Sequence, residues 1–239
     1  MDLHRDPEGR ILTYHLVRER PGRQPVVAMR MITDRWRLRR VPGLHVAKVL
    51  GTGRGADTGP SSDLRRQAYL LVWDGPGSAR TFFEQHRLPE RWRRAEVEQE
   101  GALGLVGGHG RWSGRTVLDG MRRVDPGDGP VVVLTRARVR LRSWWAFRSA
   151  SRATRRVVDA PGVDWVVGVG ELPVAFVGTL SRWTSMDAVD RFATADQDHA
   201  AAARHGDSWF AESLFARFAP IEFDVVGDRP GTLSSTGTG

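Results

Sequence analysis

The chain has 239 residues, 40% hydrophobic and 27% charged, proportions that fit a globular protein of one large domain or two small ones. Cysteine is absent, which excludes disulfides, thiolate ligands and cysteine nucleophiles and leaves His, carboxylate, Tyr or Met to hold any metal. The formal net charge of +8 is carried almost wholly by arginine, Lys48 being the only lysine; because the arginines are spread along the chain, no nucleic-acid partner is expected, whereas an acidic ligand could be gripped by a bidentate guanidinium.

In chain order, residues 1–22 are charged throughout and lack the apolar core of a signal peptide, so a flexible N-terminal segment and a cytoplasmic protein are expected. No apolar run approaches the roughly 18 residues that cross a bilayer, so no integral membrane segment is expected. A first module over 23–124 reads as a strand at "PVVAMRMIT", a helical region over "RWRLRRVPGLHVAKVLG" broken at Pro42-Gly43, a strand at "QAYLLVWD", a helix at "SARTFFEQH" capped by Ser78, and a strand near "GALGLVGGHGRW". Turn formers at Asp125–Pro130 mark the joint.

The second module, 125–226, is clearer: "VVVLTRARVRL" alternates as a strand, and "RSWWAFRSASRATRRVVDA" is helical in composition. "DWVVGVGEL" and "VAFVGTLSRW" are strands around Pro173, Ser185 caps a helix that stops at Gly206, and "LFARFAPIEFDV" is a strand. The order is β-α-β-β-α-β, so the fold class is α+β, two ferredoxin-like modules in tandem, followed by a disordered tail over 227–239. The space between a sheet and its covering helices is a natural pocket.

On the helix after Ser185, Val189, Phe192, Ala193, Ala200 and Ala203 share one face, with His199 at its edge and His205 on the opposite side. An inward histidine beside small residues suits either ordinary core packing or a proximal haem ligand. "GTGRG" (Gly51–Gly55) has the glycines of a phosphate-cradling loop without the Lys-Ser/Thr pair that follows in such loops, and a plain connection fits it as well. His109, Arg111 and Trp112 lie at a strand end where they could line a pocket. No Ser-His-Asp order, HExxH or CxxC motif is present.

Several stretches in order resemble the spheroidene monooxygenase-like family: "AKVLGTGRG", "AYLLVWD", "GRWSG", "VGVGELP", "SRW" and "FAT....H..A......WFAESLFARF". The resemblance implies a dimeric α/β-barrel-type fold and a haem-associated oxygenase that introduces a keto group into a carotenoid. It places the family histidine at His199, while the tyrosine of the family's "FAY" is Thr194 here. A carotenoid or another hydrophobic or secondary-metabolite molecule is the expected substrate, and an electron donor and a homo-oligomer are compatible partners. The expected cofactor is haem b, with iron on His199, and with Arg217, Arg136 and Trp209 as further cofactor-binding residues. Trp145, Phe176 and Trp183 are candidate pocket walls or core. A haem-dependent dehydratase on a nitrogen-bearing substrate, a non-catalytic haem or ligand carrier, and a cofactor-free barrel are the alternatives.

Overall fold

A computed structural model describes residues 9–53, 56, 62–143, 157–171, 176–195 and 209–223. These residues form β1 (Ile11–Arg18), α1 (Gln24–Leu38), β2 (Leu44–Gly53), β3 (Ser62–Trp73), α2 (Pro76–Gln85), α3 (Arg87–Arg94), β4 (Glu96–Gly110), β5 (Val131–Val139), β6 (Val163–Glu171), β7 (Phe176–Trp183), α4 (Met186–Ala195) and β8 (Phe210–Pro220). The strands close into one antiparallel barrel in the order β1-β3-β2-β6-β7-β5-β8-β4. Each half contributes four consecutive strands, and within each the first strand lies between the third and the fourth. The helix expected across 144–156 and the end of the one expected to reach Gly206 lie outside the described residues.

Two seams join the halves, and each pairs equivalent strands. The β2–β6 seam is short, with Gly51 opposite Gly170 and Thr52 opposite Val169. The β4–β8 seam runs from Leu103 opposite Pro220 to Gly110 opposite Leu214. Glycine is required where the second seam is tightest: a Cβ on Gly108 would run into the Phe215 carbonyl, and Gly110, at φ +105°, would meet that of Ser213. Gly51–Gly53 of "GTGRG" are therefore strand, pairing with β3 and reaching β6, rather than a phosphate loop.

Strand alternation sorts the core into layers. Leu12, Tyr14, Leu16, Leu70, Val72, Val132, Leu134, Leu214, Ala216 and Phe218 point into the barrel and fill it, as eight strands leave room for side chains and little else. On the outside of the first half, Ile11, Val17, Tyr69, Leu71 and Trp73 pack under Phe82, Phe83, Leu88 and Trp92 of α2 and α3. On the outside of the second half, Val131, Val133 and Trp183 pack under Ala188 and Val189 of α4. Ser185 Oγ accepts the Ala188 N–H at 3.3 Å, the expected cap of α4.

The first half departs from expectation at four places. Residues 11–18, read as part of a loose N-terminal segment, are a central strand buried on both faces, because β1 is flanked by β3 and β4 and sandwiched between barrel interior and helices. "PVVAMRMIT" is helix, not strand: Pro25 opens it, and Val27, Asp34 and Leu38 form one buried face. β-Branched residues gave the misleading signal, and packing overrode it. Residues 44–53 are strand, not helix, and Ser78 lies within α2, whose cap is Gly75.

Beneath α1 lies a fully buried acid. Asp34 Oδ2 accepts from Tyr69 Oη at 2.8 Å and from the Arg91 guanidinium, tying α1 to β3 and α3. Burial first, and the Asp34 charge second, push the Tyr69 hydroxyl well above the usual phenol range. Removing the acid takes the shared acceptor from Tyr69, which keeps only Gln67 Oε1, and from the part-buried Arg91, so Asp34→Ala is expected to lower unfolding stability by roughly 2 kcal/mol in a denaturant titration.

Candidate active site

Two regions bring chemistry-bearing residues together. The first is one end of the barrel, closed by the segment from Arg111 to Arg123, which places Trp112, Val117 and Met121 in the interior core. Arg136 of β5, only 3% exposed, is paired there with Glu212 of β8 and lies 3.4 Å from Glu171 of β6. Lys48 of β2 donates to Glu171 Oε1 at 3.1 Å and to Ser113 Oγ at 2.9 Å. Glu212 also accepts the Ser113 and Gly114 N–H groups at 2.8 and 2.6 Å. Both cations face the Trp112 ring, Lys48 Nζ at 4.9 Å and Arg136 at 5.5 Å from its centroid.

The cluster thus joins the four stretches that carry Lys48, the "GRWSG" turn, Glu171 and Glu212. Two positive and two negative groups compensate one another. Burial lowers the pKa of Lys48, with Glu171 opposing that shift. Burial works to raise Glu212, but the two N–H groups and Arg136 outweigh it and hold the carboxyl below its ordinary value. Such a quartet is a clamp on the barrel mouth rather than an acid–base pair. Just inside it, Leu12, Val46, Leu70, Leu134 and Phe218 line an apolar pocket capped by Trp112 and Lys48.

The second region is the outer face of the second half. Register makes the two halves directly comparable, since Ile11 faces Trp73 as Val131 faces Trp183. Two rows on, His15 faces Tyr69 and Glu100 in the first half, whereas Thr135 faces Thr179 and Phe215 in the second. The next row carries Val17 and Gln67 against Ala137 and Val177. In the first half this space is full: His15 stacks on Trp92 at 4.8 Å and lies 5.0 Å from Phe83, and Trp92 meets Tyr69 at 4.5 Å. In the second half Thr135 and Thr179 replace His15 and Tyr69 and are only part-buried, with Phe215 beside Thr135 where the first half has Glu100. Arg217 borders this shelf beside Val133, one third exposed, with Nη1 3.4 Å from Asp190 Oδ1 of α4 and the guanidinium 5.7 Å from the Phe215 centroid.

The sequence-predicted residues are not brought to one point. Arg217 is on the shelf, whereas Arg136 faces the barrel interior on the other side of the sheet and is committed to two glutamates. Arg136 therefore does not serve as an outward carboxylate partner, a correction that follows from strand alternation. Trp209 precedes β8, and its carbonyl accepts the Arg140 N–H at 2.8 Å. Trp183 is core, with its Nε1 donating to Ser181 Oγ at 3.0 Å. His109 is exposed 6.0 Å from the Phe215 ring, and Arg111 is exposed, leaving Trp112 alone of that trio inside. His199, His205 and Trp145 lie outside the described residues. Lys48, Glu171 and Glu212 lie in the stretches that carry the family resemblance but received no site role from the sequence, although a lone charge in the inward phase of an apolar strand was the available signal.

An eight-stranded barrel closed from two ferredoxin-like halves, with a filled interior and a helix-covered outer face, is a fold of the dimeric α/β-barrel type. No family model matches the chain. It is 30% identical over 200 residues to the spheroidene monooxygenase of Rhodobacter capsulatus, covering 81% of this chain and 83% of that one. It is 31% identical over 191 residues to the spheroidene monooxygenase of Rubrivivax gelatinosus, covering 77% and 72%. Among solved structures, an aldoxime dehydratase in complex with butyraldoxime superimposes with a TM-score of 0.56 at 13% identity, covering 92% of this chain and 81% of that one, a likeness of fold. The chain belongs to the spheroidene monooxygenase family, and it is an oxidoreductase of the monooxygenase type.

Two outcomes test the barrel-mouth clamp. Arg136→Met deprives the part-buried Glu171 and Glu212 of their shared cation and is expected to cost about 2 kcal/mol in chemical unfolding, with Arg136→Lys recovering only part because an ammonium lacks the fork. Because the folded pKa of Glu212 lies below its unfolded value, its contribution is complete above about pH 4.5 and is lost as pH falls through the folded value. Acid unfolding of Glu212→Gln should accordingly show a shallower loss of stability below that pH than the parent chain.

Proposed function

We propose that the chain is a haem-dependent monooxygenase acting on a hydrophobic molecule, with haem b, when bound, on the outer face of the second half and His199 as the residue that would hold its iron. The observation that carries this reading is the asymmetry between register-matched halves. Where the first half has His15 opposite Tyr69, packed under Phe83 and Trp92, the matching sheet pair of the second is Thr135 and Thr179, and Val17 and Gln67 are matched by Ala137 and Val177. A flat macrocycle fits against a shelf of small side chains and not against the filled face. Arg217 stands at the rim of that shelf, where its guanidinium can pair with a haem carboxylate in exchange for its exposed contact with Asp190.

Haem bound there supplies the oxidising chemistry that this fold's side chains lack. The protein's own contributions are positional. Phe215, beside Thr135, offers an aromatic edge to a hydrophobic substrate, and the closed barrel keeps water from reaching the site through the sheet. The family relationship, whose named members are monooxygenases, supports the reaction class.

An absorption spectrum of protein produced with ample haem is expected to show a Soret band. His199→Ala should abolish it, and His205→Ala should leave it intact. Thr135→Tyr, which restores the bulk that Tyr69 and His15 give the first half, should also prevent haem uptake while leaving the fold melting cooperatively. Incorporation of one labelled oxygen atom from dioxygen into product identifies oxygenation, and dehydration of an aldoxime without label would point to the other chemistry. A Soret band that survives His199→Ala would refute the axial assignment.

A further inference from the structure

Helix α1 is apolar on two opposite faces. Val27 and Leu38, with the buried Asp34 between them, face the protein. Met29, Ile32 and Trp36, spaced i, i+3 and i+7, are 59%, 67% and 61% exposed and line up on nearly the opposite side. Single exposed apolar residues are ordinary, but three large ones in one row form a patch. Arg37 flanks the row on one side and Arg35 on the other, while Arg30 is taken up by the Glu19 carboxylate; Arg39 and Arg40 follow its end, and Arg20 and Arg23 precede its start. Asp34 is the one acidic residue between positions 20 and 43, and it is fully buried, so the surface around the row is cationic.

We propose that this face of α1 docks on an anionic lipid bilayer. The helix lies in the membrane plane, with Met29, Ile32 and Trp36 entering the boundary between headgroups and acyl chains and the arginines against lipid phosphates. Tryptophan suits that boundary, because its ring is apolar while its N–H stays wet. Charge selects among occupants. A second copy would press two arginine rims together on chains that each carry +8, whereas an anionic bilayer neutralises them. No described helix is long and apolar enough to cross a membrane, so the contact proposed is peripheral. The inference stands apart from the haem reading; if both hold, a hydrophobic substrate is drawn from the surface on which the enzyme rests.

The test is co-sedimentation of the full chain with phosphatidylglycerol or phosphatidylcholine vesicles at low and high salt, alongside sedimentation velocity without lipid. Binding is expected to phosphatidylglycerol alone and to weaken with salt. The double variant Ile32→Ser/Trp36→Ser should lower it about tenfold or more, with an unchanged melting temperature. Leu64→Ser, at a residue 62% exposed on β3, should leave it unchanged. Absence of binding to phosphatidylglycerol, or equal binding by the double variant, overturns the proposal. Self-association that the double variant abolishes, without vesicle binding, assigns the row to a second copy and overturns it too. Retention on immobilised polyglutamate equal to that on vesicles and unaffected by the double variant would assign the arginines to an acidic protein instead.

Discussion

Everything in this fold hangs on the closure of the barrel. Two four-stranded sheets, each with open edges, are converted into one continuous ladder by pairing β2 with β6 and β4 with β8. Open edges carry unpaired backbone groups, and closure satisfies them without a partner molecule. It also fixes which side chains face in and which face out, because alternation along a closed sheet leaves no freedom of register. The glycines at the seams follow from this: backbones approach so closely near Phe215 and Ser213 that a side chain at Gly108 or Gly110 would hold the strands apart.

Closure in turn creates an end that must be stopped. The Arg111–Arg123 segment does this, and its polar groups are taken up by charges projecting inward from strands far apart in sequence. Lys48, Arg136, Glu171 and Glu212 come from four different strands, so the quartet exists only when both halves are in place. Buried ion pairs of this kind contribute little net stability over an apolar core, but losing one member is costly, so they tie the halves to a single arrangement.

The two halves share a plan and diverge in filling. Trp73 and Trp183 occupy matched positions, each with its indole N–H bonded to a hydroxyl, Thr13 in one half and Ser181 in the other. Beyond that pair, His15 and Tyr69 in the first half pack against Trp92 of α3, whereas Thr135 and Thr179 hold the matching sheet positions in the second, where Phe192 of α4 meets Trp183.

The sequence by itself determined the four strands of the second half, its helix capped by Ser185 and the family, because strong alternation, a helix cap and spaced motifs are local signals. It misplaced the first half where charged flanks hid β1 and where a run of Val, Met and Ile looked like strand until packing against the sheet made it helix. Arg136 and Arg217 could not be told apart as residue types. Only the tertiary structure decided that one is sealed inside the barrel and the other stands at its outer rim, because that choice depends on how strands from opposite ends of the chain come into register.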